Sequence, residues 1–176
     1  MENDRIRLVS PSTEQAEKIL EAVLESKNEL SEFMPWIPYA LTIDDSIANT
    51  ERAINNYCKF ENELRFAIMA LSSDRLLGIV SLIICDKSIP YYEIGYWLRT
   101  TEVGKGYISE SVKLIENYAF SELNANRIVI KTAKSNIKSQ AVAERCGYEL
   151  EAVLANARRL PSGELDSTLI YSKLGL

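Results

Sequence analysis

Apolar positions along this chain follow two periods in turn, and the switches between them mark the elements. Arg5 to Val9 reads Arg-Ile-Arg-Leu-Val, apolar at every second position, and predicts an opening strand. Ser12 to Gln15 fits the capping box Ser-x-x-Gln, and Ala16, Ile19, Leu20, Val23 and Leu24 then fall on one helical face. Leu30 to Tyr39 follows neither period, and Pro35 and Pro38 frame Trp36 within it. Thr42 and Asp45 form another capping box, and Ile47, Ile54 and Cys58 carry a helix to about Asn62.

Leu64 to Leu71 and Leu76 to Cys85 read as two antiparallel strands joined by the turn Ser72-Ser73-Asp74-Arg75. A turn at Asp86 to Pro90 leads to the strand Tyr91 to Leu98 and then to a short loop carrying Gly104-Lys105-Gly106-Tyr107. Ile108, Val112, Ile115, Ala119 and Leu123 define the next helix, and Asn126 to Ile130 a β-branched strand. Asn136 opens a further helix that ends at Cys146, with Gly147 at its C′ position. Tyr148 to Leu154 and Leu165 to Leu174 close the chain around the turn Leu160-Pro161-Ser162-Gly163. Strands first and βαβαβ afterwards predict an α/β fold, a mixed sheet with helices on both faces. No repeat, linker or low-complexity tract divides residues 1–176, so one domain is expected.

A chain of 176 residues buries about 70% of its unfolded surface. The longest apolar run, Ile79 to Cys85, is broken by Ser81 and too short to span a membrane. Asp4, Arg5 and Arg7 stand where a signal peptide would be apolar, so a cytoplasmic protein is expected. The net charge of −5 argues against nucleic acid as partner and suits a cationic substrate such as an amine. Cys58, Cys85 and Cys146 are widely spaced and form no Cys-x-x-Cys, which predicts reduced, mostly buried thiols. The absence of histidine is the sharpest constraint. It excludes Ser-His-Asp triads, Cys-His dyads and histidine-bearing zinc sites, leaving carboxylates, hydroxyls, backbone dipoles, Tyr, Lys or Cys for any chemistry.

A glycine turn feeding a helix suits a phosphate or pyrophosphate, although glycine pairs in such turns are more often structural. Two phosphate motifs fail. A P-loop would need a glycine where Arg99 stands and Ser or Thr after the lysine, but Gly106 follows Lys105. A dinucleotide fingerprint would need a third glycine at Ser109 and an acidic residue ending the next strand near Thr132 and Ala133.

Thr101-Glu102-Val103-Gly104-Lys105-Gly106 resembles the Gln/Arg-x-x-Gly-x-Gly/Ala loop of the GCN5-related N-acetyltransferases (GNAT). Gly104 to Glu110 as Gly-Lys-Gly-Tyr-x-x-Glu, Asn136-x-x-Ser139 and Ala143 to Tyr148 extend the resemblance. Leu30 to Trp36 resembles the corresponding segment of the RimJ/RimL branch, which acetylates N-terminal amines of ribosomal proteins. Thr101 in the first motif position, Ala152 where glycine is common, and Asp166-Ser167 in place of Asp-His depart from the pattern.

The resemblance implies the acyl-CoA N-acyltransferase fold: about seven mostly antiparallel strands, a central splayed parallel pair and about four helices. It implies acetyl-CoA as cosubstrate and no metal. The pyrophosphate would rest on N–H groups of Gly104, Lys105, Gly106, Tyr107 and Ile108, and the strand edges at Tyr96 and Leu98 would bond the pantetheine amides. Lys105, Lys138 and Arg99 would meet CoA phosphates or simply be solvated. Asn136 would cap its helix, contact pantetheine, or both.

Ser139 would protonate the leaving thiolate, or else serve only the helix start. Glu93, in an apolar strand, would act through water as a base toward the amine, or else be an edge or ion-paired carboxylate. Trp36 would wall the acceptor pocket or plug the core. The implied activity is acetyl transfer to a primary amine, foremost a ribosomal-protein N-terminus, with homodimerisation as an associated expectation. The alternatives are a polyamine or aminoglycoside acetyltransferase and a non-catalytic acyl-CoA-binding module.

Overall fold

A computed structural model describes residues 1–175. Its centre is a seven-stranded sheet in the order β1-β2-β3-β4-β5-β7-β6. The strands are β1 (Ile6–Val9), β2 (Glu63–Ala70), β3 (Leu76–Asp86), β4 (Tyr91–Leu98), β5 (Arg127–Ala133), β6 (Glu149–Arg159) and β7 (Leu165–Leu174). The helices are α1 (Ala16–Glu25), α2 (Lys27–Ser31), α3 (Ile43–Lys59), α4 (Tyr107–Ser121) and α5 (Ile137–Arg145). Every named pairing is antiparallel except β4 with β5, matching the expected architecture.

Local chemistry accounts for most boundaries. The Gln15 side chain accepts the Ser12 N–H at 3.3 Å, one half of the capping box. A turn of 3₁₀ helix at Thr13–Gln15 precedes α1. The Thr42 hydroxyl accepts the Asp45 N–H at 3.2 Å, and α3 stops where Phe60 turns left-handed at φ 52°. Several boundaries differ from the pattern: α3 ends at Lys59 instead of about Asn62, and β5 continues past Ile130 to Ala133. Lys27–Ser31 forms α2, which runs from behind the first helical pattern into the stretch without a period and turns Leu30 inward; one turn is too short to register as a period. Strand β6 continues past Leu154 to Arg159 because two residues bulge out around Asn156, left-handed at φ 51°. Cys58 and Cys85 are exposed where mostly buried thiols are expected, and Cys146 is buried.

The two faces of the sheet are covered differently. Val112, Ile115 and Ala119 of α4 pack with Phe66, Val80, Ile94 and Ile128 in the larger cluster. On the other face Ala22 of α1 meets Ala67, Met69, Leu76 and Ile79, and Val23, Leu30 and Ile37 continue that layer. The Ser46 hydroxyl donates to Ala16 O at 2.7 Å and pins α3 to α1. At Gly78 a Cβ would stand 2.2 Å from Trp97 O, so only glycine lets β3 approach β4 this closely. No helix among the described residues is long and apolar enough to cross a membrane.

The sheet opens in its middle. β4 pairs with β5 only at Tyr91↔Arg127, Tyr92↔Ile128 and Glu93↔Val129. Beyond that point β4 stays with β3 as far as Leu98, while β5 stays with β7 as far as Ala133. Two inner strand edges therefore face one another across a wedge without bonding.

Candidate active site

The alternation of an antiparallel ladder decides which backbone groups enter the wedge. The Arg99 N–H donates to Leu77 O at 2.7 Å, so Arg99, Trp97 and Gly95 turn their N–H and C=O groups toward β3. Tyr96 and Leu98 then present theirs to the gap, an unpaired ladder ready for the amides of an extended ligand. Leu98 contributes only this edge, since its side chain is buried in the core.

At the wide end of the wedge the chain turns through Gly104 and Gly106, at φ 84° and 87°. A Cβ would find open space at Gly104 and ordinary contact at Gly106, so left-handed backbone rather than crowding calls for glycine. Gly106 is the N-cap of α4 and no side chain caps it. Among the described residues, the N–H groups from Gly104 to Ser109 donate to no protein acceptor. Consecutive free donors at the positive end of a helix dipole suit an anion such as pyrophosphate.

Two sets of ion pairs hold this loop from opposite sides. From the residue just before β1, Arg5 donates to Lys105 O at 3.0 Å and Glu110 Oε1 at 2.5 Å and lies 4.5 Å over the Tyr107 ring. Asn3 donates to the other Glu110 oxygen at 3.0 Å. From α1, Glu25 accepts Thr101 Oγ1 at 2.6 Å, Arg99 at 2.5 Å and Arg75 at 2.9 Å. Arg75 and Lys105 also share Glu102, at 3.0 and 2.9 Å. Arg99 is 1% exposed, pairs with Glu21 as well, and donates Nε to Leu76 O at 2.6 Å. Its guanidinium is thus committed inside the protein, and the expectation that Arg99 meets a ligand phosphate is corrected. The Lys105 ammonium is likewise engaged by Glu102, leaving its backbone N–H for the loop; Lys138 is exposed on α5.

At the wedge itself, Asn136 caps α5 by accepting the Ser139 N–H at 3.0 Å. This frees the Ser139 hydroxyl, which lies 2.9 Å from the Tyr96 phenol of β4. The Tyr96 hydroxyl also stands 3.3 Å from Ser139 O, so one tyrosine bridges the strand and the helix across the gap. Burial pushes the Tyr96 phenol up to about 12, so it keeps its proton at neutral pH. Sequence reading placed only the Tyr96 backbone here; nothing in a strand pattern shows that its hydroxyl reaches α5.

A cavity of about 850 Å³ adjoins this hydroxyl pair, and Ser139, Asn136, Tyr96 and Trp36 all line it. Trp36 stands 6.2 Å from Trp97, the ring planes tilted by 52°, as one aromatic wall. Glu93 sits at the vertex of the wedge with its carboxylate 2.8 Å from Lys131 Nζ. That bond holds the Lys131 ammonium above its ordinary pKa, and Lys131, not Glu93, lines the cavity. The geometry gives Glu93 a ready ion-pair partner.

Comparison with known proteins gives the arrangement a family. Residues 5–149 match the family model described as Acetyltransferase (GNAT) domain. YdaF of Bacillus subtilis (strain 168) is 32% identical over 148 residues, 84% of this chain and 78% of the relative. The ribosomal-protein-serine acetyltransferase of Escherichia coli (strain K12) is 25% identical over 173 residues, 98% and 94% of the two chains. Among solved structures, the microcin C7 self-immunity acetyltransferase MccE in complex with acetyl-CoA and AMP is 33% identical, with a TM-score of 0.89 over 98% of this chain and 93% of that one.

The Glu25 cluster has a consequence for pH. The Thr101 hydroxyl, with Arg99 and Arg75, holds the Glu25 carboxyl below its ordinary value. A group lowered in the folded state stabilises fully above its unfolded pKa and loses that contribution as pH falls through the folded value. Glu25→Gln is expected to unfold at a lower temperature than the parent at pH 7, with the gap closing toward pH 3. Thermal melts of both proteins across that range check it, and a constant gap would mean that the ionisation of Glu25 contributes nothing.

Proposed function

The chain belongs to the acetyltransferase (GNAT) family, and from that premise we propose that it moves the acetyl group of acetyl-CoA to the α-amine of a protein N-terminus. The observation that carries this reading is the wedge between β4 and β5, with a bonded pair of hydroxyls in it and an aromatic cavity beside it. The free N–H groups from Gly104 to Ile108 would take the pyrophosphate, and the exposed edge at Tyr96 and Leu98 the pantetheine amides. MccE, which shares a third of its residues with this chain, is described in complex with acetyl-CoA. The Escherichia coli relative is named for a ribosomal-protein serine, which supports a protein N-terminus as acceptor.

The reaction needs little from side chains. The amine nitrogen attacks the thioester carbonyl, the C–S bond breaks, and the nitrogen gives up a proton while sulfur gains one. An α-amine has a pKa of ~8 and is partly neutral at physiological pH, so water can take its proton. We assign delivery of a proton to sulfur to Ser139, whose hydroxyl the Tyr96 phenol holds in place at 2.9 Å. A thiol leaving group of pKa ~8.5 asks only for a weak acid. Positioning in the wedge supplies most of the rate, so the lack of histidine is no obstacle. Glu93 serves as the partner that fixes Lys131 at the vertex, which the 2.8 Å ion pair supports over the role of base.

Three outcomes are expected. Acetyl-CoA at one hundred times its Kd should stabilise the protein by ~2.7 kcal/mol, and Gly106→Val should abolish that gain because valine resists a φ of 87°. Ser139→Ala should lower kcat by roughly 10²-fold with little change in acetyl-CoA binding. In an assay of released thiol near pH 7.5, peptides with a free N-terminus should react faster than matched peptides offering only a lysine side chain. A preference for lysine, spermidine or an aminoglycoside would move the enzyme to small-amine acetylation.

A further inference from the structure

The cavity beside Ser139 is richer in positive charge than an acidic protein of net charge −5 would suggest. Arg52, Arg65, Lys131 and Arg158 line it, with Asp45 and Glu63 as the carboxylates among its lining. Two of the cations are spoken for: Arg65 holds Glu63 at 3.1 Å and Lys131 holds Glu93. Asp45 accepts the Thr42 hydroxyl at 2.7 Å at the start of α3. Arg158 is different. Its Nε donates to Thr168 Oγ1 at 3.2 Å, and among the described residues no carboxylate lies within ion-pair distance of its terminal nitrogens.

The backbone works to place Arg158 there. β6 and β7 are in register at Leu154↔Thr168 and again at Arg158↔Asp166, so four steps on β6 span two on β7. Asn156 takes up the excess in the left-handed region, which asparagine tolerates better than most residues. A bulge of this kind re-aims the side chains after it, and Arg158 is the first residue back in register. Asp166, directly opposite, would be its natural partner. Its carboxylate instead accepts the Ser135 N–H at 3.0 Å and the Ser135 hydroxyl at 2.8 Å, tied to the loop before α5, and feels the Arg158 charge only through space, beyond ion-pair distance. The terminal nitrogens of Arg158 are left as fixed donors in a half-buried cavity wall.

We propose that Arg158 binds an anionic oxygen group of the acceptor, carboxylate or phosphate, carried close to the amine that is acetylated. This rests on the proposed reading of the cavity as the acceptor site and narrows it to N-termini followed by acidic residues. A guanidinium fork matches such a group in two bonds, whereas a lysine ammonium meets it as a point charge. Arg52, exposed on α3 at the same cavity, adds to the field that draws such a chain in.

The experiment compares peptides that begin with the same residue and differ only in the next two, as Asp-Glu, Asn-Gln or Lys-Lys. Serinamide and O-phosphoserinamide repeat the comparison on small amines and separate a chain carboxylate from a phosphate. The parent enzyme should favour Asp-Glu over Asn-Gln by about tenfold in kcat/KM, mostly through KM, and Lys-Lys should be the poorest. Arg158→Gln should bring the acidic-to-neutral ratio near one, and Arg158→Lys, which keeps the charge without the fork, should fall between. Far-UV circular dichroism and thermal melts establish that both variants are folded.

No acidic preference in the parent, or a preference that survives in Arg158→Gln, overturns the proposal even where peptides are good substrates. Should no peptide react, the reading of the acceptor as a protein N-terminus fails separately. The serinamide pair then decides whether Arg158 selects an anion.

Discussion

The structure turns on the parting of β4 from β5 after three paired residues. Two central strands that could have shared a ladder leave their inner edges unbonded, and unpaired backbone in a protein interior is costly unless something else satisfies it. Each half of the sheet is tied elsewhere, β4 to β3 and β5 to β7, so the wedge does not close. Across it stand two polar links: the Glu93–Lys131 ion pair at the vertex and the Tyr96–Ser139 hydroxyl pair farther out. The unpaired strand edge, the hydroxyl pair and the cavity beside it all exist because of that gap.

The glycine loop depends on the wedge and has its own restraint. Its donors point outward only while the chain before it and the strand beside it hold still. The clamp from α1 is made of charges, one of them the fully buried Arg99 guanidinium, and such a group is tolerated only when its donors are met. The Ser26 hydroxyl, itself buried, adds a bond from Thr100 N at 2.9 Å. The clamp from β1 is more exposed and contributes less stability, but it fixes the direction of Tyr107 and Glu110 at the start of α4. Preorganisation of this kind lets a loop bind an anion without first ordering itself.

In a chain without histidine, the polar groups at the wedge are weak acids held in place. Buried Tyr96 keeps its proton, and Asn136 takes over the capping that would otherwise occupy Ser139. Charge in the neighbouring cavity follows the same logic of commitment. Arg99, Arg75 and Lys105 are bound to carboxylates that build the loop, Arg65 and Lys131 to carboxylates in the wall, and Arg158 keeps its terminal nitrogens free.

What the sequence by itself determined is what local physics writes into it. Alternation, apolar runs and β-branched content marked the seven strands, and helical spacing the long helices. Burial of one face imposes a repeat of two or 3.6, and burial of both faces a continuous apolar run. Capping residues at Ser12, Thr42 and Asn136 and the glycines of the loop were legible because their partners lie within a few residues. Only the tertiary structure decided the rest, where partners are far apart in sequence. It set Glu93 against Lys131, the Tyr96 hydroxyl against Ser139 and Arg99 against Glu21 and Glu25. The short helix α2 and the bulge that turns Arg158 into the cavity are likewise outcomes of packing, since one turn of helix or two surplus residues leave no period to read.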